Sequence, residues 1–82
     1  MKTKLETAKA VIAEHYRDAN CGIFNSRNWA GDPMNTIYDE DGLTIDICYR
    51  YSYFEVFGLS HNDFAELERF YDTLRIGREA DV

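Results

Sequence analysis

One proline, two cysteines and five glycines are all that this 82-residue chain contains of the residues that most constrain or release a backbone. So little Pro and Gly excludes a low-complexity linker. Cys21 and Cys48 could form at most one bridge. Met1-Lys2-Thr3-Lys4-Leu5-Glu6 lacks the unbroken apolar stretch of a secretory leader, so both cysteines are expected as free thiols in a reducing compartment. No apolar run approaches the roughly 18 residues that a membrane span needs, and a cytoplasmic location in a bacterial host cell is the expectation. There is no C-x-x-C or H-x-x-x-H spacing, which removes the usual zinc frameworks from His15, His61, Cys21 and Cys48. There is no glycine-rich phosphate loop either.

What the chain does have is apolar mass and negative charge. It is 45% hydrophobic, with six Tyr, five Phe and one Trp, and carries 15 acidic against 9 basic side chains, for a formal charge of −6. That apolar fraction exceeds what disordered chains carry. A chain of this length buries about 60 to 65% of its unfolded surface, enough for one modest core. A single domain over residues 1–82 is expected, with 1–2 and 78–82 frayed. Charge is uneven along it: residues 1–30 hold five basic and three acidic side chains, residues 31–82 four basic and twelve acidic. Such asymmetry bears on partners and not on fold.

Leu5, Ala8, Ile12, Tyr16 and Ala19 recur at helical spacing, widened by Val11 and His15, and predict a helix from Thr3 to Ala19. Thr3 and Glu6 have capping-box spacing, and Gly22 offers a left-handed stop. Residues 20–33, rich in Asn, Gly, Ser and Asp and ending in Gly31-Asp32-Pro33, are expected to form a loop. Ile23, Phe24 and Trp29 within it should fold over an edge of the core. Met34 to Tyr38 and Leu43 to Arg50 then flank Asp39-Glu40-Asp41-Gly42, a hairpin turn of the three-residue kind with a bulge. Pairing Asp39 with Leu43 puts Ile37, Leu43, Ile45, Ile47 and Tyr49 on one face and Thr36, Tyr38, Thr44, Asp46, Cys48 and Arg50 on the other. Tyr53 to Phe57 supplies a third strand, with Phe54 and Val56 on the core side and Tyr53, Glu55 and Phe57 opposite. Ser60 as N-cap, Asp63 three residues on, and a Leu59 to Phe64 staple start a second helix, expected from His61 to Ile76 and stopped by Gly77.

The expected fold is therefore α+β: helix, three-stranded antiparallel sheet, helix, with both helices side by side on one sheet face. The opposite sheet face is expected to stay open.

Catalysis has little to work with. Asp46 and Glu55 on a wet sheet face would keep ordinary acidities, whereas acid and base work at neutral pH usually requires desolvation. No catalytic residue, cofactor or metal site is predicted, and the protein is expected not to be an enzyme. The element order is that of the double-stranded-RNA-binding domain. In that family a lysine cluster opens the second helix, and here the matching stretch is Ser60-His61-Asn62-Asp63-Phe64-Ala65-Glu66, which would repel phosphate. Direct nucleic-acid binding is not expected.

The same carboxylates favour a cationic partner. The expected partner surface is Tyr38, Asp39, Glu40 and Asp41 at the hairpin, Asp46, Tyr53 and Glu55 on the open face, and Asp63 and Glu66 on the last helix. Carboxylates at such density resemble a phosphate backbone. The plainer reading is a solubilising face, since Arg69 and Arg75 stand three residues beyond Glu66 and Asp72. Aromatics interleaved with the charges favour an interface. In its size, its acidity and its run of helix, three strands and helix, through Tyr38-Asp39-Glu40-Asp41-Gly42, Asp46 and the acidic last helix, the chain resembles the small anti-CRISPR proteins of phages and mobile elements. That resemblance implies a non-enzymatic inhibitor that occupies the nucleic-acid groove of a CRISPR effector nuclease by electrostatic and steric competition. The alternative is a self-associating adaptor that pairs through the open sheet face as a homodimer.

Overall fold

In a computed structural model that describes residues 2–26 and 30–80, the elements run α1 (Lys4–Glu14), β1 (Gly22–Phe24), β2 (Asn35–Glu40), β3 (Leu43–Cys48), β4 (Tyr53–Phe57) and α2 (His61–Ala80). The expected three-stranded antiparallel sheet is corrected to a four-stranded mixed one, ordered β1-β4-β3-β2. Its extra member, Gly22–Phe24, pairs in parallel with β4, Ile23 opposite Phe54. Three residues are too few to show a period-2 pattern, and this strand lies inside the stretch whose composition signals a loop.

α1 begins as its sequence dictates. Thr3 Oγ1 accepts from the Glu6 N–H and the Glu6 carboxylate accepts from the Thr3 N–H, each at 3.1 Å. These two bonds satisfy donors that a helix start otherwise leaves orphaned. The helix stops at Glu14, five residues before the apolar periodicity ends. Tighter turns, Asp18 N–H to His15 O and Ala19 N–H to Tyr16 O, carry the chain on and keep Tyr16 and Ala19 buried. α2 shows the opposite deviation: it continues through Gly77 to Ala80, because a glycine without a positive φ does not end a helix by itself. Residues 81–82 lie outside the described residues.

The β2–β3 turn has two residues, not three. Asp41 (φ 54°) and Gly42 (φ 79°) both take positive φ, as a type I′ turn requires. Glu40 therefore faces Leu43, and Tyr38 faces Ile45. Between Thr36 and Tyr38 the register shifts, so that Thr36 faces Asp46. One extra residue in β2 absorbs the difference. Ile37 and Tyr38 both pack against the core, and Tyr38 is corrected from the far face of the sheet to the helix side. Tyr49, expected in the core, lies beyond the end of β3 and is 51% exposed.

Both helices lie on one face. Ala8, Ile12 and Tyr16 of the N-terminal half meet Phe64, Leu67 and Tyr71 of α2 over Ile23, Leu43, Ile45, Ile47, Phe54 and Val56. The Tyr71 ring joins the layers, edge-on to Tyr16 at 5.5 Å and to Phe54 at 6.2 Å.

The other face is not open as expected. Cys48 is fully buried there and Glu55 is 4% exposed. β1 and β2 occupy opposite edges, so the ten-residue connection between them must span three strand spacings, about 14 Å. In its described part the Tyr53 hydroxyl, on this reverse face, donates to Asp32 at 2.7 Å. Of the three residues expected to cover an edge, Ile23 is buried, Phe24 is half exposed and stacks edge-on against Tyr53 at 5.4 Å, and Trp29 lies outside the described residues.

Candidate functional site

The two-residue turn carries the densest exposed negative charge. Asp39, Glu40 and Asp41 are consecutive and solvent-exposed. Alternation along β2 turns Asp39 to the reverse side, where it accepts from Thr44 Oγ1 at 3.1 Å. Glu40 stays on the helix side and accepts from the Tyr38 hydroxyl at 3.3 Å. Burial, and then the neighbouring Glu40 carboxylate, push the Tyr38 hydroxyl above its usual pKa. Tyr38 therefore remains a neutral donor beside the acids.

The remaining expected residues do not form one surface with these. Asp46 accepts from Thr36 Oγ1 at 2.7 Å and lies directly opposite Glu55. Two carboxylates facing across strands repel, and Glu55 is shut off from solvent. Tyr53 is half-buried and bonded to Asp32, and burial first, then that carboxylate, raise the pKa of its hydroxyl strongly. Glu55 is thus withdrawn from the surface and Tyr53 partly so, and the sheet face expected to be open is corrected to one that is buried at Cys48 and Glu55 and partly exposed at Asp46. Asp63 stands in the first turn of α2, where its N–H donates to the Ser60 Oγ at 3.1 Å, and Glu66 is exposed one turn further on. Both lie on the helix layer.

A feature the sequence conceals is where its basic segment ends up. The start of α1 abuts the acidic turn: Lys4 Nζ approaches the Gly58 carbonyl at 3.5 Å, and Lys2 and Lys4 line a cleft with Tyr38, Glu40 and Asp41. Positive and negative stretches that are separate along the chain therefore meet in space, and part of the turn's charge is offset. A second missed feature is at the other end of the sheet. Phe24, Tyr49 and Tyr51 are each about half exposed, and Arg50 lies over the Tyr51 ring at 5.3 Å. The Cys48 to Tyr53 pairing leaves 49–52 as a connection, and the Cys21 N–H ties it to β1 through the Ser52 carbonyl at 2.7 Å.

Cys21 is exposed and Cys48 buried, and both are free thiols. Among the described residues, no group of three or more His, Cys, Asp or Glu side chains could hold a metal ion, and no helix is long and apolar enough to cross a membrane. No protein family, curated protein or solved structure matches the chain.

Proposed function

We propose that the protein is a non-enzymatic inhibitor that binds a nucleic-acid enzyme of the bacterial cytoplasm, of which a CRISPR effector nuclease is the leading candidate, through its acidic hairpin. The observation that carries this reading is the clustering of Asp39, Glu40 and Asp41, all exposed, on a turn held in one conformation by two positive-φ residues. A preorganised anionic knob loses little conformational freedom on entering a cationic groove, and it competes there with phosphate. Lys2 and Lys4 beside the turn confine the contact to its tip and to the β2 edge, so shape must share the recognition with charge.

The test is inhibition of a panel of CRISPR effector nucleases, with the Asp39→Lys, Glu40→Lys, Asp41→Lys triple variant beside the unaltered chain. Affinity should fall by about tenfold or more in the variant and should weaken as salt rises. A variant that folds and inhibits equally well rejects the charge mechanism. Inactivity of the unaltered chain against the whole panel rejects the effector class. A second reading, self-association, is favoured by Phe24, Tyr49 and Tyr51, half exposed at the end of the sheet away from the turn. A sedimentation shift abolished by Tyr49→Ser with Tyr51→Ser would establish it.

A further inference from the structure

The cleft between the start of α1 and the β2–β3 turn is built in an unusual way: its two walls carry opposite charge. Lys2 and Lys4 stand on one side, Glu40 and Asp41 on the other, and the fully buried Leu43 side chain contributes the floor. Four opposite charges on exposed side chains surround a space of about 90 Å³ and are free to close on one another as ion pairs, though such pairs gain little. They do not. Among the described residues the ion pairs are His15 with Asp18 and Asp72 with Arg75, both elsewhere. Lys4 instead reaches the Gly58 carbonyl, Glu40 takes the Tyr38 hydroxyl, and the capping box fixes where α1 begins.

A simple anion entering this space gains the lysines and meets two carboxylates, and a simple cation meets the reverse. A ligand bearing both charges, separated by an atom or two, meets a complementary group on each side. The volume, room for several waters, suits about five or six non-hydrogen atoms. We propose that this cleft binds a small zwitterion of the α-amino-acid class, its carboxylate toward Lys2 and Lys4 and its ammonium toward Glu40 and Asp41. The site does not depend on the inhibitor reading, since it needs no macromolecular partner.

The experiment is a titration of the isotope-labelled chain, followed by its amide resonances, with glycine and L-alanine. Sodium acetate and methylammonium chloride at matched ionic strength serve as half-ligands. Glycine should produce saturable shifts in the millimolar range, confined to residues 2–7 and 38–43, and each half-ligand should bind at least about tenfold more weakly. The Lys2→Gln, Lys4→Gln double variant and the Glu40→Gln, Asp41→Gln pair should each abolish the glycine response while the remaining amide spectrum is unchanged. Linear, non-saturating shifts with glycine overturn the proposal. Acetate binding as tightly as glycine, or a response that survives in either pair of variants, overturns it as well.

Discussion

Tyr71 has a buried hydroxyl that makes no well-formed hydrogen bond among the described residues, with only a weak contribution from the Gly22 backbone, although its ring bridges the two helices and the sheet. Burial, and then Tyr16 and Cys21, push its hydroxyl up to about 12 from an ordinary value of 10.0. The folded form therefore favours the protonated phenol. This contribution to stability is complete below pH 10 and is lost as pH climbs through about 12, by on the order of 2 kcal/mol. Unfolding followed against pH should show that alkaline decline, and Tyr71→Phe should flatten it while leaving neutral-pH stability unchanged or up to about 1 kcal/mol higher. The two thiols should separate by exposure: a disulfide reagent titrates Cys21 in the native protein and reaches Cys48 only on unfolding. Gly58 has φ 103°, and a Cβ there would run into the Gly42 carbonyl where β4 passes the hairpin turn. Gly58→Ala should cost about 3 kcal/mol or more in denaturant unfolding, against no comparable clash at Gly31.

Elements differ in how openly their residues announce them. The Thr3 and Glu6 box, the Ser60 cap and the Leu43 to Cys48 alternation are local patterns, each complete within a few residues, and the elements they announce start where those residues say. Thr3→Ala should therefore cost about 1 kcal/mol, read from a denaturation midpoint. Gly77 misleads because a glycine permits a left-handed stop without imposing one. With nothing within 4 Å of its Cβ position, Gly77→Ala should stabilise α2 by up to about 1 kcal/mol and raise helical circular dichroism. β1 is illegible for a different reason. Its three residues form a strand only because Phe54 and its neighbours, 31 positions on, offer them an edge. The β2 register expected from pairing Asp39 with Leu43 fails because Asp-Gly forms the tighter two-residue turn, which pairs Glu40 with Leu43 and moves the surplus residue into the bulge at Ile37.

For the molecule as a whole, the candidate surface was half legible. The run Asp39-Glu40-Asp41 is exposed as a turn sequence suggests. Asp46, Tyr53 and Glu55 share a sheet face as alternation predicts, yet Glu55 is buried there and Tyr53 is tied to Asp32, which a composition that signals a loop does not foretell. Tyr53→Phe should remove the bond to Asp32, costing about 1 kcal/mol and speeding amide exchange at residues 30–32 and 34 more than in the core. Nor does charge counted along the chain reveal that Lys2 and Lys4 return to the acidic turn; that depends on where the first helix is laid across the sheet.

The parallel pairing of the first strand with the last also bears on the order of assembly. The hairpins from Asn35 to Phe57 close over short separations, whereas β1 must wait for β4 to exist before it has anything to pair with. Such non-local contacts form late because their loops are entropically costly to close. Ile23→Ala should accordingly accelerate unfolding with little effect on the refolding rate, and Ile45→Val should slow refolding.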